Sequence, residues 1–412
     1  MKTTITASDS LRLKRRDRTV LAVATMSLMA MAAVLGAAAA LMVPAGLPYD
    51  EPSHWSTVMY FAERWTLPVL GAPGVTYEGQ QTPLYYIIAA ALAGVTADSA
   101  FMAVRLFGVL GHALLVGLTA VILRETIRDG NLVVVIAGAA FIALNPMLIV
   151  MSASVQNDTW ALVWGLAAIA VVLLTRATNR TWVSGILVGI LASLSVLTKL
   201  SMAPLAIAIV AAYVIRRQIV QAVVVSGVVA AATGWWLVRN LVLYGDLTGQ
   251  SAVARTGAVF TNTPIDPVYV GRTVLTYLTL PTEYLRNTIA APAWVDAAAL
   301  LVGLIILTGL VLLFTRYRRR CDGHSLLLLT IVALTSASAW LVQVVFGWPV
   351  AFRTAYGVFP LVALAVGAAT QISRRRWVHI AVVCLTTVLQ IITLVWVALA
   401  VRGAPDASML LL

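Results

Sequence analysis

The residues able to do chemistry are few, and most are charged groups beside long apolar runs. Asp50 and Glu51 stand together in GLPYDEPSHW, a few residues past the first apolar run, bracketed by Pro48 and Pro52. Proline suits a first helical turn, so a helix is expected to start near Pro52 with Asp50 at its N-cap and Glu51 beside it. Asp50 serves there either as a cap or as a carboxylate base held close to a membrane surface. His54 lies one turn further on, where it can tune the acid pair, but a single histidine makes no metal site. Lys199 sits in the turn of VLTKLSMAP, Arg239 follows a tryptophan pair in GWWLVRNLVLYGD, and Arg353 occupies FGWPVAFRTAYGVFP. Such cations either anchor a helix end at the interface or hold an anion such as a lipid phosphate. Asn157 and Asp158 fill the turn of SASVQNDTW, where Asp158 can cap the next helix. There is no Walker loop, no G-x-G-x-x-G before a strand, no H-E-x-x-H and no cysteine cluster. ATP hydrolysis, nicotinamide chemistry and zinc catalysis therefore lose support.

The elements that must position these groups are membrane spans. Of 412 residues, 61% are hydrophobic and 11% charged, which excludes a soluble enzyme, a disordered chain and a collagen-like fibre. Apolar length and flanking charge give eleven spans, at 20–43, 104–123, 132–150, 159–175, 183–198, 202–215, 219–238, 296–315, 325–346, 355–372 and 378–401. With the N-terminus in the cytoplasm, nineteen of the 28 Lys and Arg residues fall in short inside segments. Among them are Arg124 and Arg128, Arg176 and Arg180, Arg216 and Arg217, Arg316 with Arg318–Arg320, and Arg374–Arg376. The net charge of +12 thus separates into +14 inside and −2 outside. The surplus records topology and does not call for a nucleic-acid partner.

The first span, about 24 residues long, exceeds a signal peptide's core and reads as a retained signal-anchor. Trp55, Trp65, Trp235, Trp236, Trp294 and Trp348 fall near outer span ends, and Trp182 and Trp377 near inner ones, as aromatic belts do. Cys321 and Cys384 are not expected to meet. Two outer segments are long, Pro44–Ala103 and Arg239–Trp294. In the first, HWSTVMYFAERW suits an amphipathic helix on the outer leaflet, and Pro83–Val95 is too short to span and reads as re-entrant or interfacial. The hairpin Thr181–Ile215 allows each leg only about 26 Å at 1.5 Å per residue. The hydrocarbon core is about 30 Å thick, so Lys199 lies below the outer surface, either snorkelling or paired with an anion.

Together these motifs resemble the polytopic glycosyltransferases of the GT-C superfamily, which includes protein O-mannosyltransferases and the lipid A aminoarabinose transferase. The resemblance is nearest to a bacterial membrane glycosyltransferase branch with D-E-P-x-H after the first span, here Asp50-Glu51-Pro52-Ser53-His54. A second element is matched by Glu78, Gln81, Pro83, Leu84, Tyr85 and Tyr86, a third by Asn157-Asp158, and a fourth by Leu197-Thr198-Lys199. A fifth is W-x-x-R-N-x-x-x-Y-G-D, here Trp236, Arg239, Asn240, Tyr244, Gly245 and Asp246. The likeness covers about residues 20–250. Gln81 stands where relatives often carry Lys, and the family's late Arg-Tyr pair is spread out as Arg353, Tyr356 and Pro360.

The resemblance implies an all-α integral membrane protein of GT-C-like fold, with about eleven transmembrane helices (ten to twelve) and outer-leaflet juxtamembrane helices in the first extracytoplasmic loop. The expected organisation is a cytoplasmic basic segment 1–19, a catalytic module 20–250 with its loop 44–103, an extracytoplasmic loop 251–295, and C-terminal helices 296–412. It further implies transfer of a sugar from a polyprenyl-phosphate donor to an envelope glycan, lipid or protein, with inversion, at the outer face of a bacterial plasma membrane. Asp50 inherits the role of base, with Glu51 beside it. Lys199, Arg239 and Arg353 are candidates for the leaving phosphate, and His54, Glu78, Gln81, Tyr85, Asn157, Asp158 and Tyr244 for substrate binding. No cofactor or metal is expected, membrane lipids are partners, and nucleic acid is not. Two other readings stay open. A transporter or flippase for a lipid-linked sugar would show repeats and mid-membrane polar groups. A non-enzymatic scaffold would leave Asp50, Lys199 and Arg239 facing no common cavity.

Overall fold

The computed structural model of the chain describes residues 7–176, 181–256, 266–282, 285, 290–345 and 352–404. Within them the chain is helical, and the sole strand-like feature is one antiparallel bridge between Ile127 and Cys321. The N-terminal half runs α1 (Ala7–Met42), α2 (Glu51–Arg64), α3 (Leu84–Thr96), α4 (Ala100–Thr126), α5 (Leu132–Ala143), α6 (Pro146–Ser152), α7 (Asp158–Thr175) and α8 (Thr181–Thr198). The remainder runs α9 (Ala203–Ile215), α10 (Ile219–Tyr244), α11 (Gln250–Arg255), α12 (Pro267–Thr279), α13 (Ala293–Leu312), α14 (Gly323–Val345), α15 (Phe359–Ala369) and α16 (Arg376–Ala400).

Each of the eleven expected spans overlaps a helix. Among the described residues, eight stretches are long and apolar enough to cross a membrane, and one bent pair makes a ninth. The chain is therefore a multi-pass membrane protein. The bent pair corrects the single span expected at 132–150: α5 and α6 meet at 50°. Asn145-Pro146 causes the break, because the residue before proline is pushed out of the α region. Asn145 is extended, and its side chain caps α6 by accepting from the Leu148 amide at 3.0 Å. The remaining two spans, α8 and α9, are the short hairpin that carries Lys199 at its turn.

The centre of the bundle is α7 and α15, whose apolar windows are 72% and 83% buried, against 11% for α1 at the periphery. Small residues allow close approach there. A side chain at Gly309 on α13 would collide with the carbonyl of Ala365 on α15, and one at Gly367 with that of Val134 on α5. Helix α2 packs on α3, and α3 leads into α4 within one apolar stretch, Leu84–Thr126. Trp348, Glu283, Arg286 and Asp406 lie outside the described residues, as does part of the 251–295 loop. Both cysteines are free, as expected.

Candidate active site

The ends of α1 and α8 and the starts of α2, α3, α4, α7 and α15 come together at one end of the bundle, and there the scattered charges meet. Asp50 takes the N-cap position of α2, but its side chain makes no capping bond. Its Oδ1 accepts from the Tyr77 hydroxyl at 2.7 Å, and its Oδ2 pairs with Arg353. Arg353 also reaches Asp158, 3.8 Å away, and the Lys199 ammonium donates to the other oxygen of Asp158 at 2.7 Å. Asp50, Arg353, Asp158 and Lys199 thus form one chain of alternating charge. Asp50 is 2%, Asp158 0% and Lys199 6% exposed, so none of these charges is simply a solvated surface group. Asp158 opens α7, yet its carboxylate faces the two cations, and the N-cap is Asn157. Asn157 ties the hairpin turn to α7 by donating to the Thr198 carbonyl at 3.1 Å.

Glu51 is one residue from Asp50 and faces elsewhere. It lies in a two-pronged ion pair with Arg105, at 2.8 and 2.5 Å, and accepts the Gly46 and Val155 amides at 2.9 and 2.8 Å. Arg105 also donates to the carbonyls of Ala40, Val43 and Pro44. This buried clamp joins α1, α2, α4 and the α6–α7 turn. Every oxygen of Glu51 is occupied, so its expected place beside Asp50 in the chemistry gives way to a positioning role. Arg105 was missed by motif reading. Its signal was an arginine within a span, a position that demands a partner.

His54, Glu78 and Tyr86 make a second layer. The Tyr86 hydroxyl sits 2.7 Å from His54 Nδ1 and 3.5 Å from Glu78 Oε2, and Gln81 hydrogen-bonds Glu78. Burial pushes His54 well below its usual range, and the Lys199 charge adds to that. Burial raises the Glu78 carboxyl to about 7, against the opposing pull of Lys199. Glu78 is thus poised to exchange a proton near neutrality. Asp50, His54 and Glu78 also offer ligand atoms within 4.8 Å of one another, enough to hold a cation if Arg353 moved off Asp50. Tyr85 accepts the Gln156 amide at 3.0 Å and holds the α6–α7 turn.

Arg239 and Tyr244 are not brought into the charge chain. Arg239 donates to the Pro68 carbonyl at 2.6 Å and lies over the Trp236 ring, while Tyr244 accepts the Leu70 amide at 3.1 Å. Both pin the first long loop against the end of α10. Asp246, next in the motif, accepts from Thr248 and Ser251, and these bonds hold its carboxyl well below the usual range despite partial burial.

Fold and site together define a polytopic membrane protein of the GT-C fold with a buried charge chain at one end. The chain belongs to the family described as predicted membrane protein (DUF2142), whose model matches residues 69–347. That stretch holds Glu78, Asp158, Lys199 and Arg239 and leaves Asp50 and Arg353 outside. The fold is similar to that of the oligosaccharyltransferase AglB from Archaeoglobus fulgidus in its apo form, with a TM-score of 0.59 at 13% identity over 92% of this chain and 56% of that one. AglB in complex with an inhibitory peptide and a dolichol-phosphate gives 0.58 at 14% over the same shares. ArnT from Cupriavidus metallidurans in the apo state gives 0.55 at 13% over 85% and 60%. The chain spans little more than half the length of these three solved structures. No curated protein matches it.

Proposed function

We propose that this protein is a membrane glycosyltransferase that moves a sugar from a polyprenyl-phosphate carrier to an extracytoplasmic acceptor. The observation that carries the reading is the chain Asp50–Arg353–Asp158–Lys199, which puts a carboxylate base beside two cations suited to a phosphate. In the reaction, Asp50 takes the proton of an acceptor hydroxyl as that oxygen bonds to the anomeric carbon. The bond from that carbon to the phosphate oxygen breaks, and the electron pair leaves with the polyprenyl phosphate. Lys199 and Arg353 stabilise the charge that develops there. One displacement inverts the anomeric carbon, and the step uses no metal. Arg239, held at the loop by Pro68, is replaced by Arg353 in this assignment. Donor binding draws Arg353 and Lys199 onto the phosphate and frees Asp50 for the acceptor.

The GT-C fold supports the reading, since AglB, which shares it, is an oligosaccharyltransferase seen with a dolichol-phosphate. We place the protein in a bacterial plasma membrane with its N-terminus inside, because the arginine-rich turns lie at the end away from Asp50. The test is sugar transfer from a polyprenyl-phosphate sugar by the purified protein. Asp50→Asn keeps the shape and removes the base, so the rate should fall by about 10²–10⁴. Undiminished transfer by that variant would remove Asp50 from the chemistry, and carrier flipping without transfer would favour a flippase.

A further inference from the structure

A recess of about 770 Å³ opens at the other end of the bundle. It lies where α13 runs out through a π-helical turn, Leu313–Tyr317, and a 3-10 turn, Arg318–Arg320, against the end of α15 and the start of α16. Helix α4 measures its distance from the charge chain. Arg105 near the start of α4 holds Glu51, while Ile127 and Arg128 just past its end pair with Cys321 and Arg320. The rise along α4 from Arg105 to Thr126 is about 32 Å. The two sites therefore sit at opposite membrane surfaces.

Four guanidinium groups line the recess, those of Arg316, Arg319, Arg320 and Arg374, and Leu312 and Ala368 form an apolar wall. Three carboxylates at this end, Glu125, Asp129 and Asp322, are already engaged. Glu125 pairs with Arg176, Asp322 with Arg128 and Arg176, and Asp129 with Arg320. Among the described residues, the side chains of Arg316, Arg319 and Arg374 have no ion pair and no hydrogen bond. Topology alone requires exposed cations, and it does not require them to surround a cavity. A π-helical turn adds a residue to the helix and often marks a functional position. Here it carries Arg316 and Thr315 into the recess wall.

The approach to the recess is apolar. Leu300, Leu304, Leu307, Val311 and Phe314 are all exposed and recur at alternating steps of four and three, so they make one lipid-facing stripe along α13. The stripe lies about a third of a turn round the helix from the recess-lining Leu312, Arg316 and Arg319, and the exposed Ile372 lies in the recess itself. Acyl chains lie along such a stripe, and a phosphate at their head then meets guanidinium groups, which bind phosphate oxygens in a two-pronged fork. Basic pockets between helix ends at a cytoplasmic surface suit this class of ligand. We propose that the recess binds a phosphate ester, supplied as the headgroup of an anionic phospholipid in the leaflet at this end. This site is independent of the glycosyltransferase reading.

The experiment uses the full-length protein in nanodiscs, with retained lipid counted by native mass spectrometry. Wild type should retain phosphatidylglycerol over phosphatidylcholine. Three cations near a lipid surface give a preference on the order of a hundredfold. The variant R316Q/R319Q/R374Q should lose that preference, and R318Q/R375Q/R376Q, with the same charge removed outside the recess, should keep it. Equal loss in both variants would mean diffuse surface charge and overturn the site. If soluble glycerol 3-phosphate alone displaces the lipid at equal concentration, the phosphate is free and the lipid reading fails. Should the first variant not fold, the wild-type comparison still decides, because equal retention of the two lipids overturns the proposal.

Discussion

Replacing Arg105 by Met tests whether the clamp beneath Asp50 is built as the structure shows. The guanidinium makes two bonds to Glu51 and three to the carbonyls of Ala40, Val43 and Pro44, and both side chains are shut away from water, at 2% and 0% exposure. Methionine fills a similar volume and makes none of these bonds. Removing one partner of a buried ion pair leaves the other as an uncompensated charge, which costs about 3–5 kcal/mol. Each carbonyl left without a donor adds about 1 kcal/mol. The expected loss is therefore roughly 6–8 kcal/mol, a large fraction of a domain's stability. Glu51 keeps two amide donors, from Gly46 and Val155, which argues for the lower half of that range. The assay is denaturant unfolding in micelles followed by tryptophan fluorescence, on wild type, Arg105→Met, Glu51→Gln and the double variant. With both charges gone, the double variant should be more stable than the sum of the single losses predicts, by about 2 kcal/mol or more. A single-variant loss below about 1 kcal/mol, the range of an exposed pair, or strict additivity in the cycle would refute the clamp.

Lys199→Met should lower kcat/KM for a polyprenyl-phosphate sugar by about 10²–10³, because it removes a cation from the leaving phosphate; a full rate would exclude it from that role. Glu78 bears on pH dependence. Its carboxyl titrates at about 7 in the fold against an ordinary 4.5, so folded protein holds a proton that unfolded chain has lost across that interval. Stability from this group is complete below about pH 4.5 and falls by about 3 kcal/mol as pH rises through about 7. Glu78→Gln should flatten that part of the stability–pH curve, and an unchanged slope would contradict the assignment. Transfer should persist in excess chelator. If instead activity is lost and then restored by a divalent cation, the metal-free reading fails and Asp50, His54 and Glu78 become the ligands to test.

The spans were legible in the sequence because two signals agree, apolar length and the arginine-rich turns that separate every second pair. The break between α5 and α6 was legible too, in Asn145-Pro146, but apolar length outweighed it. The site was legible only as a set of costly residues. What the sequence could not tell is which of them meet. Asp50 and Glu51 are neighbours, yet consecutive residues at a helix start are turned about 100° from each other. Asp50 therefore faces Arg353 before α15, and Glu51 faces Arg105 on α4. Arg353 was separated from Asp50 by some three hundred residues, and no local spacing connects them. Arg239 stands apart from the charge chain for the opposite reason. Its motif is compact and its charge well placed, but one of its N–H groups goes to a loop carbonyl and the guanidinium stays out of the charge chain.

Under the proposed function, the charge balance of the buried end bears on how a donor would enter. Asp50, Glu51 and Asp158 face Arg105, Lys199 and Arg353 in equal number, so the resting cluster is close to neutral. Glu78 adds a fourth carboxyl, and burial keeps it partly protonated near neutral pH. A phosphate brings further negative charge, which a neutral buried cluster does not welcome unless something gives way. The Glu51–Arg105 pair is held by five backbone groups, those of Ala40, Val43, Pro44, Gly46 and Val155, and is the harder to open. Lys199 and Arg353 are held by Asp158 and Asp50 with fewer bonds, so these are the cations a phosphate can recruit. When they turn to it, Asp50 and Asp158 lose their partners together, and Glu78 is the group that can take up a proton to offset the added charge. Under the proposed reaction, Asp50, the proposed base, is thus released by the arrival of the donor, and the same exchange keeps it paired while the site is empty.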